Sequence, residues 1–160
     1  MESTLRILLV CTGNTCRSPM AAGALARELA PEAARIEVGS AGSAAWEGQP
    51  ATELAIEIAA RDGVDLSAHR SRRVTPALLR ASDLVLVMER SHLGSVQALG
   101  ADPSRSFVLS EWPTPGEPEL VISDPFGGSR EAYEECWRRI RRHLKRVAPH
   151  ILEALRSRSA

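Results

Sequence analysis

The sequence predicts an α/β fold, one domain over residues 1–160 in which a four-stranded parallel sheet carries helices on both faces in the doubly wound manner. Three observations carry that expectation. Short runs of branched apolar residues alternate with stretches of helical spacing along the chain. Asp83 to Met88 (DLVLVM) is a nearly continuous apolar run, as in a strand buried on both faces. The length, 160 residues at 44% hydrophobic and 25% charged, fits one compact domain with a core of its own.

Taken in order, Leu5 to Val10 reads as the first strand. A Cys-Thr-Gly-Asn turn follows, then an alanine-rich helix from Pro19 to Ala30, with Ser18 as the expected N-cap and Pro19 suited to a first turn. Ile36 to Ser40 is the second strand, closed by Gly39, Gly42 and Gly48. Thr52 to Arg61 has helical spacing through Leu54, Ile56, Ile58 and Ala59, and stops at Gly63. Val74 to Ala81 opens a helix at Thr75-Pro76. The DLVLVM strand comes next, then a short helix at Ser91 to Leu99 and a fourth strand at Ser106 to Leu109. Glu111 to Ser129 is rich in proline and glycine and has no period. A long unperiodic stretch inside one α/β unit points to a functional loop rather than a linker. Tyr133 to Ala148 returns to helical spacing through Tyr133, Trp137, Ile140, Leu144 and Val147, and Pro149 is expected to end it.

Composition narrows the function. Twenty basic and twenty acidic side chains cancel, which removes the general charge argument for a nucleic-acid or anionic-membrane binder. Lys145 is the sole lysine, a bias read as genome composition. The basic run Arg138, Arg139, Arg141, Arg142, Lys145, Arg146 is expected to be a solvated helix face, because Glu134 and Glu135 lie four residues before Arg138 and Arg139. No apolar run approaches the ~20 residues that cross a bilayer. The amino-terminal MESTLRILLV runs straight into a chemical motif, which argues against a signal peptide. Three cysteines, Cys11, Cys16 and Cys136, are too few for a secreted disulfide framework. These features lead to the expectation of a cytoplasmic protein without a cofactor or a metal site; a monomer is expected too, although no feature of the sequence fixes the oligomeric state.

The strongest signal is Cys11 to Ser18, CTGNTCRS, joining a strand to a helix. Successive backbone N–H groups in such a turn form an anion-binding nest, and the helix N-terminus adds partial positive charge. The main chain of Thr12, Gly13, Asn14, Thr15, Cys16, Arg17 and Ser18 can thus surround a phosphoryl group. Gly13 relieves the turn, and the planar fork of Arg17 grips two oxygens as a lysine could not. The same field favours the thiolate of Cys11, placed for in-line attack on bound phosphorus. Ser18 can donate its hydroxyl to that sulfur. Alone, Cys11 would be read as a strand-end core residue; glycine, arginine and serine in register favour the phosphate loop.

In these residues the chain resembles the low-molecular-weight protein tyrosine phosphatases, which carry a Cys-x5-Arg-Ser loop near the amino terminus. The resemblance extends through Ser40-Ala41-Gly42, Asp65 to Arg72 (DLSAHRSR), the DLVLVM strand and the Asp124-Pro125-Phe126 turn. It implies Cys11 as nucleophile, Arg17 as phosphate binder, and a cysteinyl-phosphate intermediate. Asp-Pro is also an ordinary turn opener, but in this family it supplies the acid and base, here Asp124. An extended backbone before Pro125 would aim its carboxyl, and Phe126 would line the pocket. Relatives hold the strained loop asparagine, here Asn14, through a serine and a histidine that match Ser40 and His69.

Substrate class is the open point. Thr15 stands where tyrosine-directed members generally have an aliphatic residue. CTGNTCRS and DPFGGS resemble the protein-arginine phosphatases of the same fold, which favours phosphorylated arginine in a protein substrate. Against this, Trp46 lies where tyrosine-directed relatives often place an aromatic wall. Cys16 could condense with an oxidised Cys11 and protect it. Arsenate reductases of this fold use a further cysteine pair after the loop, and none lies between Ala81 and Arg90.

Overall fold

A computed structural model describes residues 4–114 and 121–159. The sheet is four-stranded and parallel throughout, in the order β2-β1-β3-β4, with β1 at Leu5–Cys11, β2 at Ile36–Gly42, β3 at Leu84–Val87 and β4 at Ser106–Val108. The helices are α1 (Arg17–Glu28), α2 (Glu53–Arg61), α3 (Pro76–Arg80), α4 (Arg90–Ala98) and α5 (Arg130–Ser159). The expected α/β class and topology are therefore present.

Strand periodicity divides the core in two. Leu5, Ile7, Leu9 and Cys11 of β1 point to one face, where they join α1, α2 and α5 through residues such as Met20, Leu25, Ile58, Ile140 and Leu144. Leu8 and Val10 point to the other and join Val74, Leu79, Val85, Val87 and Val96 under α3 and α4. Burying each such side chain contributes roughly 1.5–3 kcal/mol. Consecutive residues of β1 are thus committed to opposite layers, which leaves the strand little freedom of register.

The topology also sets where a ligand goes. After β1 the chain runs to the edge strand β2, then crosses to β3 on the opposite side of β1. In open parallel sheets the crevice lies beyond the strand C-termini where the order reverses. Cys11 is the last residue of β1, paired with Gly42 of β2, and Met88 and Glu89 follow β3 directly.

Several expectations from the sequence need correction. Helix α1 starts at Arg17, and Ser18 lies inside it rather than capping it; the N-cap is Cys16, with no side-chain capping bond. The reason is competition, because the Ser18 hydroxyl is engaged by Cys11 and Asn14. Helix α5 starts earlier than expected, after Ser129, whose Oγ accepts from the Ala132 amide at 3.2 Å. It also runs through Pro149 to Ser159. A proline inside a helix costs ~3 kcal/mol, and burial of Ala148, Ile151 and Leu155 on either side offsets it. Glu134 pairs with Arg61 across to α2 at 2.9 Å, not with Arg138. Glu135 takes both Arg138 and Arg139. The proline-rich loop expected over 111–129 lies outside the described residues at 115–120.

Candidate active site

The turn after β1 is held from outside by its carbonyls. The Ser43 amide donates to the Cys11 carbonyl at 2.9 Å, Ala44 to Thr12 at 3.0 Å, and Thr52 to Thr15 at 3.0 Å. His69 Nε2 meets the Asn14 carbonyl at 2.7 Å. A carbonyl only accepts, so that nitrogen carries its proton. With four carbonyls turned outward, the peptide planes present their N–H groups to the inside of the turn, which is the geometry of an anion nest.

Asn14 is the pivot. It is the one described non-glycine residue at positive φ, 57°, a conformation that asparagine tolerates better than most residues. Its side chain is fully committed: Nδ2 donates to Ser18 Oγ at 2.8 Å and to Ser40 Oγ at 2.9 Å, while Oδ1 accepts from the Arg72 amide at 3.0 Å. Sequence reasoning expected Ser40 and His69 around Asn14 and missed Arg72, which also binds the Ser40 carbonyl through Nε at 2.9 Å. Gly42 closes the arrangement. A Cβ there would stand 2.5 Å from the Thr12 carbonyl oxygen and 3.0 Å from the Asn14 nitrogen.

At the floor, the Asn14 amide points at Cys11 Sγ from 3.3 Å and Ser18 Oγ lies 2.9 Å from the same sulfur. Ser18 Oγ accepts from Asn14, and its one proton has two acceptors within reach, a Cys11 thiolate at 2.9 Å and the Ala41 carbonyl at 3.4 Å. Arg17 is 2% exposed, and a buried guanidinium needs partners. Its Nη1 donates to the Ile122 carbonyl and its Nη2 to Glu89 Oε1, each at 3.1 Å. These two bonds fix the guanidinium plane and leave further N–H groups for an oxyanion. Asp124 Oδ2 stands 3.7 Å from Nη2. The other oxygen, Oδ1, accepts the Phe126 amide at 3.1 Å, so the turn at Pro125 holds the carboxyl over the cleft.

A cleft of about 790 Å³ opens above this floor. Thr12, Gly13, Thr15 and Arg17 line its base, with Asp124 and Glu53 as carboxylates on its walls. Trp46 and Phe126 line it too and are 79% and 68% exposed, an apolar surface that nothing in the fold itself covers. Cys16 lines the cleft as well, and its Sγ lies 3.3 Å from the Tyr133 hydroxyl of α5 and 3.5 Å from Thr52 Oγ1. Burial first and Cys16 next push Tyr133 up to about 12. Burial likewise pushes Cys136 up to about 12, which keeps it a thiol. Burial, reinforced by Arg70 and Arg72, holds His69 below its ordinary range even though its bond to Asn14 acts the other way.

The structure thus brings together every residue singled out in the turn, with Ser40, His69, Trp46, Asp124 and Phe126 around it. Sequence reasoning missed Glu89, His92, Glu53, Thr52 and Tyr133. Position was the available signal for Glu89 and His92, since both follow the end of β3 next to the end of β1.

Comparison with known proteins gives the same reading at family level. A family model described as low molecular weight phosphotyrosine protein phosphatase matches residues 6–158. A probable low molecular weight protein-tyrosine-phosphatase, EpsP of Ralstonia nicotianae, is 37% identical over 146 residues, covering 91% of this chain and 94% of that protein. The protein-arginine-phosphatase of Bacillus subtilis is 33% identical over 146 residues, covering 91% and 95%. Among solved structures, Vibrio vulnificus Wzb in complex with benzylphosphonate superposes with a TM-score of 0.81 at 32% identity, covering 92% and 99%. The YwlE arginine phosphatase, a Cys-to-Ser variant with a phosphorylated active site serine, gives 0.82 at 31% identity, covering 92% and 95%. With a phosphate-loop cleft at the switch point and a family match over nearly its whole length, this chain belongs to the low-molecular-weight phosphotyrosine protein phosphatase family.

Proposed function

We propose that the chain is a cysteine-dependent protein phosphatase working through a cysteinyl-phosphate, with phosphoarginine in proteins as its favoured substrate. The observation that supports the chemistry is the pair of contacts on Cys11 Sγ, the Asn14 amide donating from 3.3 Å and Ser18 Oγ at 2.9 Å, inside a turn whose carbonyls face outward. In the first step the Cys11 thiolate attacks phosphorus while Asp124, protonated, gives its proton to the departing nitrogen or oxygen. An S–P bond forms and the P–N or P–O bond breaks. In the second step Asp124 takes a proton from water, the water oxygen attacks phosphorus, and the S–P bond breaks to release phosphate. Ser18 donates to the sulfur as it leaves. Arg17 and the turn amides meet charge on the equatorial oxygens in both steps.

The preference for phosphoarginine rests on acceptors. A phosphorylated guanidinium keeps N–H groups that need partners, and Thr15, Glu53 and Asp124 supply oxygens along the cleft. Phosphotyrosine is the second reading, favoured by the exposed rings of Trp46 and Phe126, which suit a phenyl group. The relative from Bacillus subtilis is named for the first activity and that from Ralstonia nicotianae for the second. A cytoplasmic, monomeric enzyme of one domain over residues 1–160 goes with this proposal, because a thiolate nucleophile needs a reducing compartment.

The test is kcat/KM for matched phosphoarginine and phosphotyrosine peptides, with Cys11→Ser as the blank. Phosphoarginine should be preferred, and Thr15→Ile should move the ratio towards phosphotyrosine by about tenfold or more, as losing one substrate hydrogen bond does. An unchanged ratio would remove Thr15 as the selector; a ratio already favouring phosphotyrosine would establish the second reading.

A further inference from the structure

His92 lies below the floor of the cleft, 2% exposed, on the first turn of α4. Nothing in the mechanism above uses it. Its Nε2 sits 2.8 Å from Thr12 Oγ1 and 3.6 Å from Glu89 Oε1, the oxygen that holds Arg17 at 3.1 Å. Its Nδ1 is buried without a hydrogen-bond partner.

We infer that His92 is a positioning residue that donates from Nε2 to Thr12 and so turns the Thr12 hydroxyl proton into the cleft, making Thr12 a side-chain donor to the substrate's phosphoryl oxygens. The argument concerns where one proton resides. If the imidazole carried it on Nδ1, the fold would hold a buried N–H with no acceptor, the rarer and costlier kind of orphan. With the proton on Nε2, it faces both the Thr12 oxygen and the Glu89 carboxylate, and Nδ1 is left as an unfilled acceptor. Double protonation is opposed by burial first and by the neighbouring Arg17 cation second. Together these hold His92 below its ordinary range against the opposite pull of Glu89 and Asp124. A hydroxyl that accepts from Nε2–H cannot spend its single proton on the same nitrogen. Thr12 is exposed and lines the cleft, so an anion there is the partner its proton meets.

This rests on reading the turn as a phosphoryl site, and the two can fail separately. Turnover that survives Cys11→Ser overturns the site itself. For the His92–Thr12 pair, Thr12→Val keeps the shape and removes the hydroxyl on an exposed residue, so folding is not at risk. It should lower kcat/KM by about tenfold and raise the inhibition constant of inorganic phosphate by a similar factor, the scale of one hydrogen bond to a charged group. His92→Phe should do the same, and adding Thr12→Val to it should cost nothing more, because the two act through one bond. His92→Gln, which returns an N–H near the place of Nε2, should recover most of the loss, and His92→Asn should not. In the unaltered protein, a long-range proton–nitrogen NMR spectrum should show the Nε2–H tautomer at neutral pH. An Nδ1–H tautomer, an unimpaired Thr12→Val, multiplicative losses in the double variant, or equal behaviour of the Gln and Asn variants would each overturn the inference.

Discussion

A single hydroxyl links the loop's architecture to the proposed chemistry. Ser18 Oγ accepts from Asn14 at 2.8 Å and stands 2.9 Å from Cys11 Sγ, so in the proposed mechanism the residue that fixes the strained turn also holds a hydroxyl against the leaving sulfur. Ser18→Ala should therefore slow breakdown of the phosphoenzyme more than its formation. Rapid-mixing kinetics should show a burst of leaving group followed by a steady rate reduced on the order of a hundredfold, the usual cost of one well-placed donor. A variant slowed equally in both phases would show that Ser18 acts only on the turn. Asn14→Ala removes three side-chain bonds and leaves a β-carbon at φ 57°, so a stability loss of about 2–4 kcal/mol in chemical denaturation is expected. Near-unchanged stability would mean that the turn is held by its carbonyls alone. At this scale the sequence was legible where function is contiguous, since Cys11, Arg17 and Ser18 lie within one turn. Glu89 and His92 were not, because their partners are 72 and 80 residues away and only strand order brings them together.

Elements were read well where a period ran and poorly where side chains had a second employer. DLVLVM declared β3 by continuous apolarity, and the apolar run Leu5 to Val10 declared β1, while the division of its residues between two core layers shows only in the structure. Ser18 misled because a serine before an alanine-rich run looks like a cap, yet its hydroxyl is engaged by Cys11 and Asn14. Pro149 misled because local propensity argues for a stop, while Ile140, Leu144, Ile151 and Leu155, all buried, carry α5 past it. The junction of β1 and β2 offers the sharpest test at this level. A methyl group at Gly42 would press on the Thr12 carbonyl oxygen at 2.5 Å, so Gly42→Ala must displace the turn. The neighbours are the Thr12 carbonyl, the Asn14 nitrogen and the Ala45 methyl, a β-carbon with no rotamer to swing aside. Activity should fall by about a hundredfold or more, as small misplacements of reacting groups do, while circular dichroism stays that of the folded protein. Full activity in this variant would show that the turn tolerates displacement.

Across the whole molecule, two histidines near the site tie folding to pH. Unfolded, His69 and His92 titrate near 6.5, and folding lowers both, chiefly by burial. Between the folded and unfolded values the unfolded chain binds more protons, so stability rises with pH. It is fully present above about 6.5 and is lost as pH falls through the lower, folded values. Melting temperatures should decline in that window, before the carboxylates held low by their donors, such as Asp65 and Asp102 with unfolded values of 3.8, begin to protonate. His92→Gln should flatten part of the decline; a profile flat down to the carboxylate range would contradict the burial argument. Two cations of α5 have partners within the fold: Arg141 lies against Asp62 and the Trp137 ring, and Arg146 binds the carbonyls of Leu109, Trp112 and Thr114. The most direct measurement is acid quenching during turnover of a phosphopeptide, followed by mass spectrometry of the digested enzyme. A phosphoryl adduct should appear on the peptide carrying Cys11 during turnover and vanish once the substrate is exhausted; turnover with no adduct, or an adduct on another residue, would contradict catalysis by this cysteine.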